Sequence, residues 1–324
     1  MRLEGAGSDQ SSSPAQRSER NIGSRERSVE PHEQNIPVAP GVALRTLHWG
    51  TPPSAGSYRP TFVLVHGLAS NARLWDGVAL ELANAGFHAI SVDLRGHGRS
   101  DKPDEGYDFT TVTDDLLALI DHGGLDRPIV CGQSWGGNVV IELAWRAPER
   151  VRGVCAVDGG IIELGTHFAD WESCASALKP PALAGMQATR MESFIRSAHP
   201  SWPETGIVGA MANFEHRADG TIAPWLTLER HMKILRALYD HRPSDRYGQI
   251  RVPVMLAPAD NGQNPSWTAD KRASVAAAEE RLPQVRTHWF APADHDLHAQ
   301  HPDRLAAHLV AAVEDGFFTN ALTP

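Results

Sequence analysis

Apolar positions along the chain fall into two rhythms. The continuous apolar runs Thr61 to His66, Phe87 to Asp93, Pro128 to Cys131, Val151 to Val157 and Val252 to Ala257 read as strands buried on both faces. Between them, Asn71 to Ala85, Thr110 to Ile120 and Ser134 to Ala147 place their apolar residues on one helical face, and Pro148 stops the last of these. Val42 to Trp49 is an earlier strand that ends at Gly50. After Ala257 come a helix from Thr268 to Arg281, a strand from Val285 to Phe290 and a final helix from Pro302 to about Val313. This alternation predicts an α/β fold, a mostly parallel sheet covered by helices on both faces.

Two segments break the rhythm. Residues 1–34 are rich in Ser, Arg, Glu and Gln and nearly lack large apolar side chains. Such a stretch cannot offset its ordering entropy and is expected to be a disordered tail. Residues 159–249 lose the alternation, hold Trp171, Trp202, Trp225, Met186, Met191, Met211 and Met232, and read as mainly helical. An insertion between the sixth and seventh strands predicts a cap domain over a core made of residues 35–158 and 250–324.

Composition narrows the partners. The 324 residues carry a formal net charge of −9 and show no cluster of Lys and Arg, so nucleic acid is not expected as a ligand. No signal-like stretch and no run of ~20 apolar residues is present, which predicts a soluble, cytoplasmic protein without a membrane partner. Cys131, Cys155 and Cys174 fit neither a zinc spacing nor a disulfide framework; the first two sit in strand-like runs as small buried hydrophobes. A homo-oligomer is compatible with these features.

The chemistry begins at Gly132-Gln133-Ser134-Trp135-Gly136, a G-x-S-x-G motif between a buried strand and a helix. A sharp strand-to-helix turn admits only small residues two before and two after the serine, and it lifts the hydroxyl out of the sheet above a helix N-terminus. Ser134 is therefore the candidate nucleophile. An oxyanion would need two donors. The Trp135 N–H is one, and the Leu68 N–H, in the loop His66-Gly67-Leu68, is the other. His66 is expected to hold that loop, and Asp93 and His97 to fix a turn by hydrogen bonds.

Taken together, His66-Gly67, Asp93-Leu94-Arg95-Gly96-His97-Gly98-Arg99-Ser100 and Gly132 to Gly136 resemble, in order and spacing, the α/β-hydrolase superfamily over nearly everything after residue 38. The resemblance implies a triad in the chain order Ser, acid, His. The base should follow the last strand, where His295, His298 and His301 compete. Members of the family place the histidine seven residues before a Pro-acidic pair, and His295 stands seven before Pro302-Asp303. His298 and His301 are expected to be solvated or capping. Asp294 occupies the position where the family usually has Gly.

Two carboxylates compete for the acid. Asp260 follows the seventh strand, the common position; Asp158 follows the sixth, 24 residues after Ser134. Asp158 is preferred, because one helix and one strand fill that interval and leave it at the strand tip. The Asp260 loop also lacks the usual Gly and is about one residue short. Dehalogenase-like and some lactonase-like members use the earlier position.

These residues imply acyl transfer through an acyl-enzyme, with neither metal nor organic cofactor required. The substrate is expected to be an apolar small-molecule ester or lactone, with Gly67, Trp171, Trp202 and Trp225 beside it. The pattern is similar to bacterial lactonases that act on the mycotoxin zearalenone. C–C bond hydrolysis and cofactor-free perhydrolysis are the alternatives within enzymes, and a hydrolase-fold ligand receptor the alternative outside them. Dehalogenase and epoxide hydrolase chemistry need a carboxylate where Ser134 stands.

Overall fold

The apolar runs become strands of one sheet. A computed structural model describes residues 30–54, 59–263 and 265–318. In chain order the strands are β1 (His32–Ala39), β2 (Val42–Trp49), β3 (Phe62–Val65), β4 (Ala89–Val92), β5 (Ile129–Gln133), β6 (Gly153–Val157), β7 (Phe214–His216), β8 (Ile222–Pro224), β9 (Val254–Ala257) and β10 (Val285–Thr287). Eight of them form the order β1-β2-β4-β3-β5-β6-β9-β10, while β7 and β8 pair separately. β2 runs antiparallel to β1 and β4; the pairs from β4 through β10 are parallel. Chain order reverses around β3, which lies between β4 and β5, and such a switch point opens a crevice at the carboxyl ends of the strands.

Alternate residues of each central strand feed opposite faces. Val63, Val65, Val130, Val154, Ala156, Val254 and Leu256 join one apolar cluster, with Val139, Val140 and Leu143 from the helix Trp135–Arg146. Phe62, Leu64, Ile129, Cys131, Cys155, Val157 and Met255 join the other, with Val78 and Leu82 from the helix Asp76–Asn84 and Leu305 and Leu309 from the helix Pro302–Glu314. Both faces are covered, so the strands read as unbroken apolar runs rather than as alternating ones.

One expectation needs correction. β1 begins at His32, inside the segment expected as tail; the earlier part, up to residue 29, lies outside the described residues. Only Ile36 of β1 is buried, so the strand has no apolar signature. It is held through backbone pairing with β2, from His32 opposite His48 to Ala39 opposite Val42. The insertion between β6 and β9 is mainly helical and also carries the β7–β8 hairpin. Its helices include Trp171–Leu178, Ala188–Ala198, Glu204–Met211 and Leu228–Asp240. Met191, Ile195, Trp202, Ile207 and Ile222 build a cluster of its own, joined to the core by Leu74 and Ala299. No described helix is long and apolar enough to cross a membrane.

Candidate active site

The carboxyl ends of β3, β5, β6 and β9 carry the candidate residues to one edge of the sheet. Ser134 follows β5 and precedes the helix Trp135–Arg146, with φ 53° and ψ −119°, a conformation that L side chains rarely adopt. Neighbouring backbone holds it there: its N–H donates to the Val157 carbonyl at 2.9 Å, and its carbonyl accepts from Gly137 N–H at 2.9 Å. The small-residue requirement is visible directly. A Cβ on Gly132 would overlap the Gly136 carbonyl, and one on Gly136 would come within 2.5 Å of the His66 carbonyl oxygen. A side chain on Gly67 would collide with the Gln133 amide and stand 3.0 Å from Ser134 Cβ, so the Gly67-Leu68 loop runs against the serine.

His66 pins that loop. Its fully buried ring accepts the Leu94 N–H at Nε2 (3.0 Å), which leaves Nδ1 to donate to the Gly67 carbonyl at 2.7 Å. Burial pushes its pKa down, so the ring is neutral and fits this tautomer. Asp93 fixes the neighbouring turn by accepting the N–H groups of Ala72 (2.7 Å) and Arg99 (2.9 Å) while it pairs with Arg45 at 3.1 Å. His97 is fully buried, 4.6 Å from the His66 ring and 5.7 Å from that of Trp135.

Asp158 and His295 come together. His295 Nδ1 lies 2.6 Å from Asp158 Oδ2, and the Asp158 side chain is 2% exposed whereas that of His295 is 53% exposed. Asp158 also has a positive φ, 40°, and its N–H is held by the Ala257 carbonyl of β9 at 2.9 Å. Its Oδ1 accepts the Ala259 N–H at 2.9 Å and the Lys271 ammonium at 2.7 Å. Burial alone would raise the Asp158 pKa; the hydrogen bonds and charges of His295 and Lys271 outweigh it, and the pKa is lowered. Desolvation would lower the His295 pKa, but the Asp158 hydrogen bond and charge, aided by Asp296, raise it, with Lys271 opposing.

Asp260 faces elsewhere. Its carboxylate accepts from Gly262 N–H (3.0 Å) and Thr268 Oγ1 (3.0 Å) and pairs with Arg272 at 3.2 Å. The structure therefore joins Asp158, and not Asp260, to His295.

Of the two other candidate histidines, His298 differs from expectation. His298 is not solvated: it is buried on Trp75, ring centroids 4.4 Å apart, and burial pushes its pKa to about 3. Its place on the short helix Leu297–Gln300 turns it inward, which polarity alone does not reveal. His301 precedes the last helix without a side-chain capping bond and lies 3.4 Å from the Pro292 carbonyl.

A cavity of about 540 Å³ opens over these groups, with Ser134, His295, Asp158 and Leu68 in its wall. Ile161, Ile162, Leu164, Leu178, Leu235, Leu238 and Trp267 make it largely apolar, with Glu163, His167 and His231 among the polar groups. Gly67, Trp171, Trp202 and Trp225 do not line it, which corrects the expectation that they contact substrate. Trp171 packs on Tyr239 and Arg236, Trp225 lies under the Lys102 ammonium, and Trp202 belongs to the insertion's own core. An insertion of this size needs its large apolar residues to hold itself together, and the four methionines noted above are likewise absent from the cavity wall.

Three supporting residues are of types that no motif calls for at their positions. Gln133 donates from its amide to the His295 carbonyl at 3.2 Å, tying the elbow to the histidine loop. Asp294, where the family usually has Gly, reaches the insertion: its carboxylate accepts the Trp202 indole N–H at 3.1 Å and meets His199 Nδ1 at 3.3 Å. Lys271 projects from the helix Pro265–Arg281. Of the three, only Asp294 left a trace in the sequence, as a departure from the family pattern. Among the described residues no cluster of His, Cys, Asp and Glu is arranged to hold a metal ion.

Known proteins resemble this chain in sequence and fold. The chain fits the alpha/beta hydrolase family over residues 62–308. Epoxide hydrolase A of Mycobacterium tuberculosis is 37% identical over 231 residues, 68% of this chain, and the chain spans only 58% of that relative. The 2-(acetamidomethylene)succinate hydrolase of Mesorhizobium japonicum is 26% identical over 249 residues, 75% of this chain and 84% of that one. Among solved structures, E-2-(acetamidomethylene)succinate hydrolase superposes with a TM-score of 0.70 at 21% identity, covering 88% of this chain and 99% of the other. The eight-stranded sheet, the elbow at Ser134 and the family match lead to one assignment: this chain belongs to the alpha/beta hydrolase family.

Proposed function

We propose that the protein hydrolyses a carboxylic ester or lactone of an apolar small molecule through a Ser134–His295–Asp158 triad. The observation that carries this reading is the 2.6 Å contact between His295 and the buried Asp158 in the wall of the cavity that also holds Ser134. Asp158 fixes the imidazole with Nδ1 protonated, so Nε2 is free to take the Ser134 proton. Ser134 then attacks the acyl carbon. The N–H groups of Leu68 and Trp135 stabilise the oxyanion, and the alcohol departs or stays tethered if the substrate is a lactone. Water activated by His295 releases the acid and regenerates the serine.

The cavity supports the substrate class. Its volume of about 540 Å³ lies within the roughly 300–1,000 Å³ typical of drug-sized ligands, and its wall is mainly aliphatic. A macrolactone of the zearalenone type is the specific substrate to test within this class. Epoxide opening through a covalent ester needs a carboxylate at the elbow, and Ser134 stands there instead. The test is a panel of esters and lactones graded in acyl and alcohol size, zearalenone included, with initial rates read for wild type and Ser134→Ala. Hydrolysis of apolar esters or lactones that vanishes in the variant is the expected result. Equal rates in both proteins would remove the serine mechanism.

A further inference from the structure

The helix Pro265–Arg281 plays no part in the chemistry above, yet it sends a cation to the acid. Lys271 Nζ lies 2.7 Å from Asp158 Oδ1 and 2.9 Å from Oδ2, and 2.7 Å from the Ala259 carbonyl oxygen. An ammonium has three N–H donors. Here the carboxylate and the backbone carbonyl account for all three, so none remains for a substrate although Lys271 borders the cavity. The Ala259 N–H in turn donates to Asp158 Oδ1, which closes a small ring of polar contacts between the ends of β6 and β9.

We propose that Lys271 is a positioning residue of the triad: it clamps the Asp158 carboxylate toward His295, and its charge sets the lower pH limit of the base. This inference rests on the triad reading. One oxygen, Asp158 Oδ2, separates the two nitrogens, at 2.9 Å from Lys271 and 2.6 Å from His295. A carboxylate facing only an imidazole stabilises the imidazolium with its full charge. One already paired with an ammonium stabilises it less, and the ammonium repels the imidazolium directly. The base therefore stays neutral to lower pH than Asp158 alone would allow.

Other groups face the imidazole. Asp296 and the buried His298 do so from its own loop. Glu163 and His167, His231 of the helix Leu228–Asp240, and Asp260 and Asp270 share the cavity wall. Lys271 is the one Lys or Arg among these groups, and it touches the acid directly. Among the described residues of the cavity wall, its removal is thus the substitution that withdraws a Lys or Arg charge from the site. At this separation a unit charge moves a pKa by about 0.5 to 2 units, for effective dielectric constants of roughly 80 to 20.

The test is the rate at which a rhodamine fluorophosphonate labels Ser134 in the full chain, read from pH 5 to 9. Wild type, Lys271→Met, Lys271→Gln and Lys271→Arg are compared after circular dichroism confirms folding. In the neutral variants the acid limb moves up by about 0.5 to 2 pH units, while Lys271→Arg keeps it near the wild-type position. If Lys271→Met fails to fold, Lys271→Gln carries the same comparison. A limb that stays in place or moves down in a folded neutral variant overturns the proposal and makes the ion pair a structural tie. Failure of the wild type to label at Ser134 at any pH would overturn the triad reading and, with it, this inference.

Discussion

Replacing Asp158 with Asn tests the triad more sharply than removing the serine, because a second carboxylate, Asp260, serves as an internal control. The change keeps shape and removes charge. In the native site Asp158 Oδ2 stands 2.6 Å from His295 Nδ1, and Lys271 bridges both carboxylate oxygens. An Asn amide offers an N–H to the ring in place of an acceptor and favours the tautomer in which Nε2 is protonated and cannot accept the Ser134 proton. In a related triad that error lowers kcat by about 10⁴, or roughly 5.5 kcal/mol of transition-state stabilisation. Stability falls as well. Asp158 is 2% exposed, and weakening its charged hydrogen bonds should cost about 2 kcal/mol, lowering Tm by roughly 3 °C in a chain of this size. Asp260→Asn loses only a solvent-screened pairing with Arg272, itself 56% exposed, and its kcat should stay within about threefold of wild type. The assay is kcat on the best ester from the panel, with Tm by differential scanning calorimetry. A crippled Asp260→Asn beside a near-normal Asp158→Asn would refute the acid assignment and the geometry behind it.

Ser134→Ala should lose on the order of 10⁶ in kcat with its fold intact by circular dichroism, and Ser134→Gly, equally inactive, should raise Tm by about 2–4 °C because φ 53° suits glycine. The His295 pKa lies above its ordinary 6.5, and the neutral ring is the base, so kcat/KM should fall as pH drops through a value above 6.5; a flat profile down to pH 4.5 would exclude it. Stability linked to the same group runs the other way: it is fully present below the unfolded-state pKa and lost as pH rises through the folded one, which urea titrations from pH 6 to 9 would detect. Gly67→Ala should reduce kcat at least tenfold with a modest change in Tm, since its Cβ would press on Gln133 and Ser134; wild-type kinetics would show that the loop has room to move. Truncation of residues 1–29 should leave Tm and kcat/KM unchanged, as their composition suggests, whereas truncation of residues 1–39 removes β1, uncovers the edge of β2 and should lower Tm clearly.

What the sequence determined by itself was everything carried by local pattern. Runs buried on both faces announced β3, β4, β5, β6 and β9, because a strand covered by helices on each side has no polar position to interrupt it. The elbow was legible because its turn imposes small residues at fixed offsets from Ser134, and the helix and strand lengths between Ser134 and Asp158 placed that carboxylate at a strand tip. Tertiary structure decided what depends on residues distant in the chain. Strand β1 carries one buried side chain and exists because the edge of β2 offers it backbone partners. Trp171, Trp202 and Trp225 were read as a binding surface because an aromatic residue looks the same in sequence whether it fills a core or lines a cavity; only the fold turned them away from the cavity. The spacing favours Asp158 over Asp260 but leaves both at strand tips, and what separates them in the fold is the direction of two side chains, one toward His295 and one toward Thr268 and Arg272. Lys271 is the extreme case. It lies 113 residues from Asp158 on a helix with no motif, and its place beside the acid comes from the packing of that helix across the ends of β6 and β9. Short-range sterics write themselves into neighbouring residues, whereas a contact made by two separate elements constrains each of them too weakly to be read from either alone.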